Sequence, residues 1–312
     1  MSSNLISSRV RVALAVILML VFPAGAWAAD DVQSSEAQSE FASAVQAASK
    51  AKVEGPTSVK LVDQATLKLP RGYVFIPAKE GKRLLVAMGN RVGNNLLGLV
   101  FPQSEAKWFM VMQFHKSGYI KDDDAKDWKA DELLDGIRAG TAETNKDRRA
   151  RNIPEIEIVG WVEAPAYDAT THRLVWSLAS KETNEPAGAE RGVNYNTYAL
   201  GREGYISMNL VTGMNTVEAE KPVARMLLAS LDYHDGKRYT DFNSATDHVA
   251  EFGLAALVGG MAAKKLGLFA VIAAFFVKFA KVIGIAVIAL GAGITRMFRR
   301  RKQAESVPTP QA

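Results

Sequence analysis

Cysteine is absent from this chain of 312 residues. Its absence excludes disulfide bonds, thiolate catalysis, cysteine-ligated metals and a lipidated N-terminal cysteine. Several motifs with well-understood chemistry are missing too: there is no P-loop, dinucleotide fingerprint, serine elbow or H-E-x-x-H. Residues 89–98 are rich in glycine and asparagine but lack the Lys-Ser/Thr ending of a P-loop. We therefore expect no cofactor and no metal site, and the sequence identifies no catalytic residue.

A basic surface for nucleic acid is also lacking, although the formal net charge is +5. Residues 1–28 carry +2 and residues 249–312 carry +7, whereas the intervening residues 29–248 carry −4. The positive charge thus belongs to the two ends of the chain. The mildly acidic body argues against a DNA or RNA partner.

The N-terminal end has the three parts of a secretory signal. Arg9 and Arg11 precede a short apolar core over residues 12–22, and Ala26-Trp27-Ala28 supplies small residues around a cleavage point. We expect residues 1–28 to be removed as a signal peptide, with an uncleaved anchor as the alternative. Residues 29–56, rich in Ala, Ser, Gln and Glu, are expected to form a linker or a weak helix.

The longest apolar stretch lies near the C-terminus and predicts a membrane anchor. Residues 249–295 are almost wholly apolar and are followed by the run Arg299-Arg300-Arg301-Lys302. Basic residues beside a span stay on the cytoplasmic side. We therefore predict that residues 249–295 lie in the bacterial cytoplasmic membrane, that residues 296–312 form a basic cytoplasmic tail, and that the main domain lies outside or in the periplasm. The lipid bilayer is the partner that this predicts.

Two lysines complicate the anchor. Lys278 and Lys281 lie near the middle of residues 266–295, where each costs about 3 kcal/mol at the bilayer centre. The sixteen Leu, Ile, Val and Phe residues of that stretch favour insertion by about 7 kcal/mol at most. Three arrangements stay open: one span with a shielded lysine face, a span plus a re-entrant or interfacial helix over 249–263 and 266–295, and an in-plane amphipathic helix.

Small residues recur every four positions in this region, which predicts self-association of membrane helices into a homo-oligomer. Chance spacing in an Ala- and Gly-rich segment is the alternative. The small residues are Ala255, Gly259, Ala263 and Gly267.

Between the two ends, periodicity predicts one exported α+β domain over residues 57–242. Alternating or continuous apolar runs predict strands on both sides of residues 70–72, at 84–88, 96–101 and 108–114, and in two later hairpins. Apolar residues spaced by three and four predict helices over 130–149 and 217–231. Consecutive hairpins require an antiparallel sheet. The predicted fold is thus an antiparallel sheet with two covering helices, followed by a C-terminal transmembrane helical segment.

The histidines are the first candidates for catalysis or binding, although each also fits a solvated sheet edge. Tyr233-His234-Asp235-Gly236 places a histidine beside an acid, but neighbours in a turn rarely form a catalytic pair. An acidic group precedes the first long helix, where a cation would need the glycine turn and distal Glu of a calcium loop; we favour a solvated loop. The histidines are His115, His172, His234 and His248, and the acids are Asp122, Asp123, Asp124 and Asp127.

The tryptophans divide into two groups. Trp108, Trp161 and Trp176 lie in strand-like segments and are expected in the core. Trp128 lies in the charged loop before the helix. If Trp128 is exposed there, it could contact a partner or the membrane interface.

Two stretches carry a resemblance to a known family, together with the Trp-containing hairpins. They are Leu67-Lys68-Leu69-Pro70-Arg71-Gly72-Tyr73 and residues 245–258, ATDHVAEFGLAALV. With them the chain resembles a bacterial membrane-anchored family catalogued as a domain of unknown function (family 2167). The resemblance implies an exported, anchored domain without an established activity, so no catalytic residue is carried over. The element order is also similar to that of the PsbP and Mog1 group of antiparallel α/β sandwiches.

These features favour a membrane-anchored exported domain that binds an envelope protein or another envelope ligand and has no enzymatic activity. The first alternative is an envelope hydrolase with a site assembled from His and Asp. The second is a membrane-active or stress-related protein that acts through its C-terminal segment.

Overall fold

The computed structural model describes residues 31–150, 152–186 and 188–259. Their helices, in chain order, are α1 Asp31–Ala51, α2 Ala78–Ala87, α3 Ala130–Ala150, α4 Val217–Ala229 and the single-turn α5 Leu254–Gly259. Two 3-10 turns cover Asp123–Lys126 and Tyr239–Asp241. The strands are β1 Val53–Glu54, β2 Thr57–Leu61, β3 Ala65–Leu69, β4 Tyr73–Pro77, β5 Leu96–Pro102, β6 Phe109–His115, β7 Ile156–Asp168, β8 Arg173–Glu182, β9 Gly192–Gly201, β10 Gly204–Gly213 and β11 Leu231–Tyr233.

The strands form two antiparallel sheets. The large sheet has eight strands in the order β1-β4-β5-β6-β10-β9-β8-β7, and the small sheet has the order β11-β3-β2. The centre of the large sheet joins two hairpins, because β6 pairs with β10 in a continuous register from Tyr205–His115 to Val211–Phe109. This pairing places the open end of the β5–β6 hairpin, at His115, beside the turn of the β9–β10 hairpin. The site described below lies at this end.

Alternating residues of the same strands fill two separate cores. Phe75, Val100 and Met110 face α4 and the small sheet, in the larger core. Their neighbours Val74 and Phe101 face α1 and α2 on the opposite side of the sheet. The large sheet is therefore covered on both faces, which fits the continuous apolar sequence of β5.

The α+β class and the large antiparallel sheet are confirmed, as are the helices predicted near 130–149 and 217–231. The prediction of only two covering helices is incomplete. The predicted strand at 84–88 is wrong: residues 84–87 belong to α2, which buries Leu84 and Leu85, and Met88 is its C-cap. A short apolar run does not distinguish a strand from a buried helix face. Residues 31–51 are a helix, the second option for this stretch, and Ala44 and Ala48 are fully buried against α2 and the sheet.

The first of the two later hairpins, β7–β8, has a short loop. Strand β7 continues to Asp168, and its pairing with β8 contains several register shifts. Such bulges let an edge strand accommodate Pro165, whose nitrogen cannot donate a ladder hydrogen bond. The turn itself is fixed by Asp168, whose carboxylate accepts hydrogen bonds from the backbone N–H of Thr170 and the hydroxyl of Thr171.

The folded body extends beyond the predicted boundary at residue 242, and this corrects the start of the predicted membrane segment. Val249 forms a β-bridge with Tyr119, and Leu254 and Val258 are buried. Helix α5 also packs closely on α3, since a Cβ built on Gly136 would lie 2.8 Å from the carbonyl oxygen of Gly259. Residues 249–259 thus complete the domain through its core contacts.

The rest of the predicted anchor, 260–295, and the tail, 296–312, lie outside the described residues, as does the predicted signal peptide. No helix within residues 31–150, 152–186 and 188–259 is both long enough and apolar enough to cross a bilayer. Gly259 and Ala255 lie in α5, while Ala263 and Gly267 lie outside the described range. A substitution at Gly259 would therefore disturb the α3 contact as well as any helix association.

Candidate functional site

A pocket of about 640 Å³ opens where the β5–β6 hairpin meets the turn between β2 and β3. Its volume lies within the range of small-molecule sites. Apolar side chains line part of the wall, and amide, hydroxyl and basic side chains line the rest. The lining residues are Val62, Asn94, Asn95, Leu96, Leu97, Phe114, His115, Lys116 and Ser117.

His115 is held from three sides. Its Nε2 lies 3.1 Å from Ser207 Oγ on β10, and its Nδ1 lies 3.5 Å from Asn95 Nδ2. Its ring is stacked on Tyr205 with 4.5 Å between the ring centroids and an interplanar angle of 3°. Burial lowers the pKa of His115, so the ring is neutral near pH 7.

The hydrogen bonds of His115 determine whether it can act as a base toward Ser207. If the amide of Asn95 donates to Nδ1, the proton of the neutral ring is on Nε2 and points at Ser207 Oγ. A protonated Nε2 cannot accept the proton of the Ser207 hydroxyl. Ser207 is also only 5 % exposed. In this tautomer His115 forms part of the pocket wall and does not activate the serine.

Two lysines lie beside the pocket. Lys116 lines the wall, is exposed and forms no salt bridge in the described part of the chain. Lys82 donates to Asn94 Oδ1 at 3.2 Å, which leaves the Asn94 amide nitrogen as a donor. Glu203 is paired with Lys237 at 2.6 Å; this hydrogen bond and, to a smaller extent, the charge of Lys116 hold the pKa of Glu203 below its usual value. The pocket wall thus carries one cation and several donors, with Glu203 close enough to Lys116 to interact with its charge.

Val62 lies on the pocket wall in an unusual conformation. Its φ is +49°, in the left-handed region that β-branched residues avoid, and its side chain is 55 % exposed. The turn is closed by the Gln64 N–H, which donates to the Leu61 carbonyl at 3.2 Å. The protein therefore maintains a strained backbone to present an apolar side chain at the pocket.

A network of charges holds this turn against the β9–β10 turn. Gln64 Nε2 donates to Asp63 Oδ1 and to Glu203 Oε2, and Lys237 bridges Asp63 and Glu203. Gly204 is needed at this junction because a Cβ there would lie 1.9 Å from the His115 carbonyl oxygen. The β2–β3 turn, the β9–β10 turn and the end of β6 at the pocket are therefore held in fixed relative positions.

A second cluster joins His172 to an acid, but not at the pocket. The Tyr167 hydroxyl donates to Asp122 Oδ2 at 2.8 Å and lies 3.1 Å from His172 Nδ1. The His172 ring packs on Tyr239 with 4.2 Å between centroids. Burial raises the pKa of Tyr167. This chain of hydrogen bonds ties the 3-10 turn Asp123–Lys126 to the β7–β8 hairpin under an aromatic cover.

The acidic group predicted as a solvated loop has specific structural contacts. Asp124 accepts hydrogen bonds from the backbone N–H groups of Leu254 and Ala255, both at 3.0 Å, so it caps α5. Within the described residues, no three His, Asp or Glu side chains lie close enough to hold a metal ion.

Trp128 is only partly exposed. Its side chain is half-buried and packs on the cluster formed by Ile120, Leu200, Tyr239 and Leu254. Trp108 and Trp176 are buried as expected, and Trp161 packs edge-on against Trp176. The surrounding contacts could not be read from the charged local sequence of Trp128.

The two remaining histidines do not meet the first two. His234 contacts Thr66 Oγ1 at 2.9 Å and the Asp63 carbonyl at 3.1 Å, while Asp235 pairs with Arg238. His248 is exposed, and its carbonyl accepts from the Tyr119 N–H. Of the four candidates, only His115 lines the pocket.

The sequence did not indicate Val62, Lys116 or Ser207 as site residues. Asn94 and Asn95 belong to the glycine- and asparagine-rich stretch at 89–98, which was the one available signal. Val62 has no signal at all, because its unusual φ follows from tertiary contacts of the turn.

Comparison with known proteins identifies a family and shows a weak likeness to a solved structure. No curated protein matches this chain. The solution structure of cyanobacterial PsbP (CyanoP) from Synechocystis sp. PCC 6803 matches with a TM-score of 0.35 and 9% sequence identity, over 59% of this chain and 91% of that chain. The family match spans residues 53–291, more than half of the chain, and the chain belongs to the family described as "Protein of unknown function (DUF2167)".

Proposed function

We propose that this chain is a membrane-tethered binding module of the bacterial cell envelope, with its ligand held in the pocket beside His115. The observation that carries the proposal is the composition of the pocket wall. It offers a lysine ammonium group, amide and hydroxyl groups and an apolar surface, and no carboxylate lines it. Such a wall recognises a ligand; it does not supply the paired acid and base that hydrolysis requires.

The envelope location rests on the two ends of the sequence. The secretory pattern in residues 1–28 supports export, and the apolar run followed by Arg299-Arg300-Arg301-Lys302 supports tethering with a cytoplasmic tail. The tether then starts after Gly259, because residues 249–259 belong to the folded body.

The alternatives are less well supported. Both ring nitrogens of His115 are engaged, and Tyr167 lies between His172 and Asp122. Neither arrangement leaves a histidine poised as a general base. Action through the C-terminal segment is tested by deleting residues 260–312, since a deletion from 249 would remove the buried Leu254 and Val258.

Ligand-induced stabilisation tests the binding proposal. The full chain, in zwitterionic lipid nanodiscs, is incubated with soluble, lipid and cell-wall fractions of bacterial envelope, and its unfolding temperature is measured. We expect at least one fraction to stabilise the parent protein and the Lys107→Glu control, but not Lys116→Glu. Lys107 is an exposed lysine in the loop that connects β5 and β6, at the end of this hairpin opposite to the pocket. Stabilisation by no fraction, or equal stabilisation of both variants, contradicts the proposal.

A further inference from the structure

We infer that the pocket selects ligands in which an anionic group is joined to an apolar moiety, and that the strained Val62 is its apolar contact. The inference deepens the proposed binding function and rests on it. It commits to small amphiphilic anions, whether they come from a peptide carboxyl terminus or from a fatty acid.

The preference for an anion follows from the charges around the pocket. Lys116 lines the wall without a salt bridge among the described residues, and Lys82 lies behind Asn94. Glu203 and Asp63, the acids of the adjacent network, share the single charge of Lys237, and Glu203 also interacts with the charge of Lys116. Neither acid lines the pocket, so an anionic group that enters it would contact Lys116 and amide donors and would take the place of Glu203 as the anion nearest to Lys116.

The apolar requirement follows from Val62 together with the wall behind it. Leu96, Leu97 and Phe114 line the pocket as well, so Val62 completes an apolar surface. A glycine at this position would adopt φ +49° without steric cost and would expose no apolar surface. In the free protein, valine carries the cost of the strained φ and the cost of an apolar side chain exposed to water. Contact with an apolar ligand group removes the second cost.

The position of Val62 is fixed before any ligand arrives. The turn is closed by the Gln64-to-Leu61 hydrogen bond and attached to Glu203 through Gln64 Nε2. Gln64 is 2 % exposed, so this attachment is protected from water. A preorganised contact of this kind binds its ligand without the cost of ordering a loop.

Matched soluble probes test the two requirements separately. N-acetyl-trileucine with a free carboxylate carries both features, its carboxamide lacks the charge, and N-acetyl-triglycine lacks the apolar side chains. Decanoate represents the fatty-acid source. Each is titrated against the full chain in zwitterionic nanodiscs, with empty nanodiscs as the blank. We expect the trileucine carboxylate or decanoate to bind at least about tenfold more tightly than the carboxamide and the triglycine.

Two variants locate the binding. Lys116→Gln should weaken binding of the anionic probes by about tenfold, whereas Lys107→Gln leaves it unchanged. Val62→Gly should weaken binding severalfold while keeping or raising the unfolding temperature, because glycine relieves the strained φ. Weaker binding together with a lower unfolding temperature would indicate simple damage to the turn and would overturn the assignment of Val62.

The outcomes separate this inference from the proposed function. If envelope fractions stabilise the protein through Lys116 but neither anionic probe binds, the ligand class is wrong and the binding function stands. If the carboxamide binds as tightly as the carboxylate, the anion requirement is wrong. If Lys116→Gln changes neither the probe titrations nor the response to envelope fractions, both proposals fail.

Discussion

Replacing Leu254 with alanine tests whether residues 249–259 belong to the folded body. Leu254 is 0 % exposed and packs with Ile120, Leu200 and Tyr239. A buried Leu→Ala change costs about 2–5 kcal/mol. Helix α5 is a single turn at the margin of the domain, so the site can partly collapse, and we expect a loss of about 2.5 kcal/mol in unfolding free energy.

Urea unfolding of the full-length protein in mild detergent measures this loss. With a slope of about 2.5 kcal/mol per molar urea, the midpoint should fall by about 1 M. The unfolding temperature should fall by about 5–10 °C. Trp128 packs on the same cluster as Leu254 and provides the fluorescence signal.

Val86→Ala is the control for this measurement. Val86 is 54 % exposed, so its truncation should leave the midpoint within error. If Leu254→Ala also leaves the midpoint unchanged, Leu254 does not pack in the domain core. Residues 249–259 would then be assigned to the membrane segment, as the hydropathy of the sequence suggested.

Three further changes probe individual contacts of the fold. Asp124→Ala should lower the unfolding free energy by about 1 kcal/mol, because the α5 cap is lost. Its exposed neighbour Asp123 should tolerate alanine. Equal effects of the two substitutions in urea titrations would refute the capping role. Burial raises the pKa of Glu220, which contacts the Thr212 hydroxyl, so ionisation of Glu220 destabilises the folded state. The unfolding free energy of Glu220→Gln should therefore rise relative to that of the parent as the pH increases from 4 to 7. A pH-independent difference between the two unfolding free energies would contradict this. Burial lowers the pKa of His115, so the unfolded chain binds a proton before the folded protein does, and stability should fall as the pH drops below about 6.5. His115→Gln should reduce the dependence of the urea midpoint on pH between pH 7 and 5. An unchanged pH dependence would assign it to other groups.

Local periodicity predicted the parts of the fold that depend on local patterns. Helix α3 and the β9–β10 hairpin have clear periods of about 3.6 and 2 and were found near their predicted bounds. Helix α2 was missed, because the apolar run at 84–88 is too short to separate a helix from a strand. Residues 249–259 were misplaced for a related reason: their apolar character is the same whether a protein core or a lipid chain surrounds them.

The candidate site depends on tertiary contacts to a greater extent. His115 was a candidate on composition, but its contacts with Ser207 and Tyr205 arise from the pairing of β6 with β10, between residues about ninety positions apart in the chain. The local sequence does not distinguish Lys116 from other exposed lysines, and its place on the pocket wall follows from the fold. Val62 is of interest because of its left-handed backbone conformation, which cannot be predicted from the residue type.

The placement of the body outside the cytoplasmic membrane is the central claim, and the absence of cysteine allows a direct measurement. Met214→Cys places a single thiol at an exposed position of the body, and Gln303→Cys places one in the predicted tail. Both variants are treated with a membrane-impermeant maleimide in intact spheroplasts and again after lysis. We predict that the thiol at position 214 is labelled in intact spheroplasts, while the thiol at position 303 is labelled only after lysis. Protection of position 214 until lysis would contradict the account.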